Sequence, residues 1–255
     1  MSRASPEPDA PPGFSAARLA RLAELEDWHF WFLARRDLIR RLIRRHLHRQ
    51  AAFILDVGCG TGSILAELSR DGHRVMGVDS RREGLRRIGP TLPSALLAQA
   101  DATLLPLRPG SADLVLLLDV LEHVPDHLAL EEVRRVLRPG GKAIIAVPAF
   151  TKLWSYRDVG AGHRRRYSRE QVLALARGAG LEVCEVRHFQ FLLLPILALS
   201  RWLGRKGPWW RDLEERRIPL VSKLLLLISR LEVRLGALVS WPAGSSILAV
   251  LAEST

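Results

Sequence analysis

The sequence predicts an α/β protein, a doubly wound and largely parallel sheet of seven strands, with a helical segment ahead of it and a helical insertion before its last strand. Three observations predict this. A short apolar run, Phe53-Ile54-Leu55, leads into Asp56-Val57-Gly58-Cys59-Gly60-Thr61-Gly62 and then into a helical pattern over Ser63–Arg70. Strand, glycine-rich turn and helix in that order form the first unit of a doubly wound sheet. Strand-length apolar runs then alternate with helical patterns up to residue 148, and one of them, Leu114-Val115-Leu116-Leu117-Leu118, is apolar throughout, as a central strand covered on both faces must be.

Residues 1–14 are polar and proline-rich, without the apolar core of a signal peptide, and are expected to form a disordered tail. Over 15–50 the pattern is helical. Leu19, Leu22, Leu25 and Trp28 recur at spacings of three, a dense aromatic block follows to Arg36, and Leu38, Ile39, Leu42, Ile43 and Leu47 then share one face opposite a set of arginines. The α/β core is expected over 51–188.

In its first turn, Gly58 and Gly60 lack a Cβ and let the backbone approach a ligand, and Gly62 lets the helix start pack close to the strand. Cys59 sits within the same turn. Asp56 at the strand end would repel a pyrophosphate and suits a cationic ligand. The dinucleotide spacing G-x-G-x-x-G is absent, since Gly62 follows Gly60 by two. The second strand, 74–78, ends in Asp79-Ser80, where an acid sits over a ribose in folds of this type and accepts both sugar hydroxyls. The same aspartate also suits the N-cap of the helix expected over 81–88. A third strand, 95–100, ends in Asp101-Ala102, and the fourth ends in Asp119-Val120-Leu121-Glu122-His123. A helix over 126–137 stops at Arg138-Pro139-Gly140-Gly141, and 142–148 is the fifth strand.

Leu55 to Gly62 closely resembles motif I of the class I S-adenosylmethionine-dependent methyltransferases, and the D-x-x-E-H segment at Asp119 and the R-P-G-G turn are similar to that class as well. The resemblance implies S-adenosyl-L-methionine as cofactor, bound along strands one to four. It places Asp101 or its backbone on the adenine amino group, Ala102 where the ring needs room, Leu104, Leu105 and Pro106 as adenine walls, and Asp119 beside the reactive methyl. His123, at the same strand end, is then a candidate base; Glu122 and His123 equally suit shaping the loop. The helices of 15–50 become a lid over the pocket, their aromatics chiefly core glue.

The block at 29–36 and the stretch from Asp158 to Tyr167 resemble the H-F-W-F start and the G-H-x-R-R-Y loop of a bacterial family of small class I methyltransferases, which implies a small-molecule or lipid-linked acceptor. The loop 149–167 is expected over the pocket, bending at Gly160 and Gly162. His163 is its candidate base, Tyr167 would orient the acceptor, and Trp154, Tyr156, Arg165 and Arg166 are candidate acceptor contacts, arginines being suited to clamp a carboxylate or phosphate. A basic surface loop anchored by Tyr167 is the plainer alternative.

The sixth strand, 181–186, and the last, within 245–255, are separated by an insertion over 189–244. Its apolar stretches, 189–203 and 218–239, flank Trp202, Arg205, Lys206, Trp209, Trp210 and Arg211. They are too short and interrupted to span a bilayer but suit a helical pair lying in a membrane interface, or one packed on the sheet or on a second subunit. The formal charge is +11, from 38 basic and 27 acidic residues, which favours an anionic partner: nucleic acid, acidic membrane or phosphorylated substrate. Cys59 and Cys184 form no metal-ligating spacing, no metal is expected, and a disulfide is not, which fits a reducing cytoplasm with the inner membrane face as a docking place. A nucleic-acid methyltransferase and a non-catalytic membrane scaffold on the same fold are the alternative functions. Against the first, the fourth strand ends without the proline-proline-aromatic motif of base-amino methylation; against the second, Asp56, Asp79 and Asp101 are all present.

Overall fold

Seven strands form one sheet in the order β3-β2-β1-β4-β5-β7-β6 in the computed structural model, which describes residues 16–204 and 218–253. The expected tail 1–14 and the basic, tryptophan-bearing positions Arg205, Lys206, Trp209, Trp210 and Arg211 lie outside the described residues. The strands are β1 (Phe53–Val57), β2 (Arg74–Asp79), β3 (Leu96–Gln99), β4 (Ala112–Leu118), β5 (Leu137–Pro148), β6 (Leu181–Phe189) and β7 (Ser246–Glu253). The first five run parallel, and β7 is antiparallel to both β5 and β6. Chain order reverses between β1 and β4, so the crevice at their carboxyl ends is the expected ligand position.

The core is two layers, one on each face of the sheet. Side chains alternate along the strands: Ile54, Leu114 and Leu116 enter one layer, and Leu55, Val115 and Leu117 enter the other. The first layer packs against α2 (Phe30–His46) and α3 (Ser63–Arg70), the second against α5 (Asp126–Val136) and α7 (Arg169–Gly178). Each such buried aliphatic side chain stabilises by about 1.5–3 kcal/mol, which fixes the strand ends that carry the site.

The leading segment is two helices, α1 (Ala16–Glu26) and α2, broken at 27–29, where the His29 ring accepts a hydrogen bond from Trp31 N at 3.3 Å and caps α2. Three segments differ from the sequence expectation. The R-P-G-G turn lies inside β5, because Leu137 already pairs with Ala112 before the register shifts and Gly140, at φ +73°, carries the chain through the irregularity. The expected loop 149–167 contains a 3-10 turn, Thr151–Leu153, and a helix, α6 (Tyr156–Ala161). A reciprocal capping box between Ser155 and Asp158 starts α6 and Gly162 ends it at φ +73°.

The insertion also begins later than expected. Phe189 stays in β6, Gln190 turns the chain at φ +69°, and the helices are α8 (Leu194–Gly204) and α9 (Pro219–Leu235). The buried Glu232 of α9 accepts the N–H groups of Phe191 and Leu192, both at 2.9 Å, and so ties α9 to the approach to α8. The insertion is not a separate unit. Phe30 of α2, Leu193 and Leu197 form a small core with Leu225, Leu226 and Ile228 of α9, and Arg230 pairs with Asp37 at 2.8 Å. Lid and insertion together make one roof over the sheet's carboxyl edge. Between them, α4 (Arg82–Thr91) completes the helices beside β2 and β3. Among the described residues no helix is long and apolar enough to cross a membrane.

Candidate active site

A cavity of about 610 Å³ lies at the carboxyl ends of β1, β2 and β4. The turn after β1 is its floor, α1 and α2 its roof with Leu197 and Arg201 of α8, and α6 with the chain to Arg166 its far wall.

The floor is set by backbone. Gly58 and Cys59 donate their N–H groups to Val78 O at 2.7 and 3.1 Å, which ties the turn to β2. Gly58 and Gly60 sit at φ +73° and +53°, and a Cβ on Gly58 would come within 2.5 Å of Val120. Asp56, Gly58, Cys59 and Gly60 all face the cavity. Gly62 does not. It caps α3 at φ +79° against Ile88, where a Cβ would be 2.6 Å away, so it is a packing residue.

Carboxylates line this end. Asp79 accepts the N–H groups of Gly60 at 3.0 Å and Arg81 at 2.9 Å, and Ser80 stands beside it on the wall. Asp56 is buried on the floor. Burial pushes its carboxyl up to about 7, the negative Asp79 and Glu26 add to the rise, and Arg35 opposes it. Asp101 accepts the backbone N–H and hydroxyl of Thr103 at 2.8 and 2.7 Å, which hold its carboxyl below the usual range, and it lines the cavity with Ala102. Leu104, Leu105 and Pro106 are not on the wall: Leu104 is 74% exposed on the surface and Leu105 is buried in the core.

Two roof residues complete the acidic end, and neither was singled out in the sequence. Glu26 of α1 accepts a hydrogen bond from the Thr61 hydroxyl and so latches the roof to the glycine turn. Burial raises its carboxyl despite that bond. Arg35 of α2 is 8% exposed, lies over the Trp31 ring at 4.7 Å and pairs with Asp119 at 2.7 Å. Asp119 takes φ +59°, an uncommon conformation for a non-glycine residue that aims it at the cavity. The sequence did hold a signal for Arg35. It falls three and four residues before Leu38 and Ile39, on the apolar stripe of α2, where the other arginines do not.

The opposite end carries the candidate bases. His163 Nδ1 lies 2.9 Å from Asp158 Oδ1. Arg166 grips both oxygens of Asp158 at 2.8 and 3.0 Å and donates to Ala149 O at 2.8 Å, while Ser155 N–H donates to Asp158 Oδ2 at 2.8 Å. Burial would raise the Asp158 carboxyl, but the hydrogen bonds from His163 and Arg166 outweigh it and hold the group ionised. An ionised acceptor fixes the proton of His163 on Nδ1 and leaves Nε2 as its basic nitrogen. His123 Nδ1 lies 3.3 Å from Gly162 O, and its ring meets His163 edge-on with centroids 5.0 Å apart. Burial and then the neighbouring His163 push the His123 imidazole down to about 4, so it is neutral at physiological pH.

The expected acceptor contacts divide. Arg166 lines the cavity, but its fork is spent on Asp158. Arg165, Tyr167, Trp154 and Tyr156 are not on the wall. Arg165 pairs with Asp126 at 2.7 Å, and the buried Tyr167 directs its hydroxyl at Leu121 O and Asp126 Oδ2, 3.0 and 2.9 Å away, so both pin this stretch to the start of α5. Tyr156 packs where a side chain on Gly204 would lie and docks α6 on α8, and Trp154 N–H closes the 3-10 turn on Thr151 O at 2.9 Å. Arg157, Arg164 and Arg201 stand on the wall instead.

Residues 55–145 match the methyltransferase-domain family. A protein of Mycolicibacterium smegmatis named as a probable S-adenosylmethionine-dependent methyltransferase is 28% identical over 165 residues, which cover 62% of this chain and 62% of the relative. The trans-aconitate 2-methyltransferase of an Azoarcus species is 39% identical over 119 residues, 45% of each chain. The solved complex of the Haloferax volcanii Trm112 methyltransferase activator with a methyltransferase contains a chain that superposes with a TM-score of 0.64 at 21% identity, covering 94% of this chain and 95% of that one. The chain spans about half to two thirds of the length of these two curated relatives. Residues 55–145 thus match a methyltransferase domain, and the chain shares the fold of that solved structure. The site fits S-adenosylmethionine, the cofactor in the name of the Mycolicibacterium relative: a glycine turn in which a Cβ on Gly58 would strike Val120, and an excess of carboxylates to face a sulfonium cation.

Proposed function

We propose that the protein is an S-adenosylmethionine-dependent methyltransferase acting on an oxygen or nitrogen of a small or lipid-linked anionic molecule. One observation carries this: a single cavity holds an acid-lined glycine floor at one end and the Asp158–His163 pair at the other. Asp79 is suited to the ribose hydroxyls, Asp101 and Ala102 to the adenine, and Asp56 and Asp119 to the positive end of the cofactor. When bound, S-adenosyl-L-methionine supplies an electrophilic methyl group on a sulfonium. His163 Nε2 accepts the proton of the acceptor, and Asp158 stabilises the imidazolium that results. Most of the rate gain comes from holding donor and acceptor in line under a closed roof. Arg157, Arg164 and Arg201 on the wall favour an anionic acceptor, as trans-aconitate is for one named relative. Titration of S-adenosyl-L-methionine by calorimetry, with Asp79→Ala beside it, tests this. Micromolar binding lost at least 100-fold in the variant is expected; no binding at millimolar cofactor would overturn the reading.

A second observation supports a place of work at an anionic membrane. Leu220, Leu224, Leu227, Leu231, Leu235 and Leu238 are exposed at helical spacing along α9 and beyond its end, with Ile196, Leu199 and Trp202 exposed on α8. A groove of about 250 Å³ between α2 and α9 is lined by Arg40, Arg41, Arg44, Arg230 and Arg234 together with Val233 and one acid, Asp37, which pairs with Arg230. Apolar stripe and arginine groove suit acyl chains and phosphate headgroups respectively, at about 1 kcal/mol per basic side chain near the surface. Sedimentation with phosphatidylglycerol vesicles should carry down the protein but not Leu224→Glu/Leu227→Glu, whereas equal binding of both would exclude this face.

A further inference from the structure

We propose that Glu122, His123 and His163 form a divalent metal site, of the kind that takes Zn²⁺ or Co²⁺, opening onto the acceptor end of the cavity. Glu122 is fully buried, and neither of its carboxyl oxygens has a hydrogen-bond partner. A buried carboxyl without partners is costly and calls for a ligand. His163 Nε2 lies 3.8 Å from Glu122 Oε1. One ligand atom from each of Glu122, His123 and His163 falls within 4.8 Å of the others. In a tetrahedral site, bonds of about 2.0–2.2 Å set two ligand atoms roughly 3.3–3.6 Å apart, so closure asks the three side chains to draw together by up to about 1.5 Å.

The surroundings are those of metal-bound histidines. Such a histidine is held by its other ring nitrogen to a carboxylate or a backbone carbonyl. His163 is held through Nδ1 by Asp158 and His123 through Nδ1 by Gly162 O. The charge balance also suits a cation. Of the three acids here, Asp158 is paired with Arg166 and Asp119 with Arg35, which leaves Glu122 without a guanidinium of its own. Two nitrogens and one carboxylate select borderline transition ions over Mg²⁺ or Ca²⁺, which prefer oxygen ligands. His123 and His163 are on the cavity wall with Glu122 behind them, so the open coordination positions face the acceptor.

The catalytic consequence rests on the methyltransferase reading. An acceptor hydroxyl bound to the ion loses its proton to water, and His163 then serves as a ligand rather than as the base. The oxygen forms its bond to the methyl carbon as the carbon–sulfur bond breaks, the electron pair stays on sulfur as a neutral thioether, and the ion is unchanged.

Co²⁺ titrated into chelator-stripped protein is the test, read by visible d–d bands and by bound metal per chain, with S-adenosyl-L-methionine binding measured on every sample to show that the fold is intact. One Co²⁺ per chain is expected, with bands lost in Glu122→Gln and His163→Ala and affinity lowered roughly 10- to 100-fold in Asp158→Asn. Absence of bands and of bound metal in folded protein, or binding unchanged by Glu122→Gln and His163→Ala, would overturn the site. Because the readout is metal binding, its failure is separable from a failure of methyl transfer.

Discussion

Floor and roof of the cavity are built by different rules. The floor is backbone: a glycine turn whose N–H groups bond β2 and Asp79, over strands buried on both faces. The roof is side chains, joined to the floor by Glu26 on Thr61 and Arg35 on Asp119, and held together by the small core that α2 shares with α9. A floor of this kind tolerates little change, because backbone cannot move aside. A roof held by a few polar latches can open and close, as the proposed reaction between cofactor and acceptor requires.

The largest effect is expected at the floor. A Cβ on Gly84 of α4 would collide with the carbonyl oxygen of Gly60, a backbone atom with no rotamer to relieve it. Gly84→Ala should destabilise by about 1–3 kcal/mol, seen in thermal unfolding, and weaken cofactor binding more than tenfold by displacing the turn. A stability within 0.5 kcal/mol of the parent would show that the floor is softer than its geometry implies. Roof latches should behave in the opposite sense. Glu26→Gln keeps the shape of the side chain but loses a charge-assisted hydrogen bond to Thr61, so cofactor affinity should fall about 3- to 10-fold with unfolding nearly unchanged. Arg35→Leu should sit between the two. It frees a partly exposed Asp119 and removes an arginine stacked on Trp31, costing about 1–2 kcal/mol and disordering the roof.

The same contrast decides what was legible in the sequence. Strand, turn and acid follow one another within a few residues at Asp56–Gly62, at Asp79 and at Asp101, so local pattern reached them. Ser155 and Asp158 were equally local, a capping box three residues apart, yet the surrounding glycines and aromatics suggested an open loop where α6 forms. The meeting of Glu122 with His163 had no such signal. The two are brought together only when the chain at Arg164 donates its N–H to Glu122 O at 2.9 Å, across about forty residues. Arg165 and Tyr167 share a motif with Arg166 but turn toward the start of α5, because an extended chain sends successive side chains to opposite sides.

The smallest effect, and the sharpest probe of the floor, is the pH dependence set by Asp56. Its carboxyl titrates at about 7 in the folded protein against 3.8 as the ordinary value, through burial first and then Asp79. Between those values the folded protein holds a proton that the unfolded chain has released, so this group's contribution to stability is fully present below pH 4 and is lost as pH rises to about 7. A sulfonium ligand favours the ionised form, so cofactor affinity moves the other way: it should rise from pH 6 to 8, by no more than about tenfold per unit below 7, and level off above. Calorimetry across that range checks the slope, and Asp56→Asn, which cannot ionise, should flatten it. A slope that persists in Asp56→Asn would move the titration to Glu26, whose carboxyl is also raised by burial, and would make the latch of the roof, rather than the floor, the group that senses the charge of the ligand.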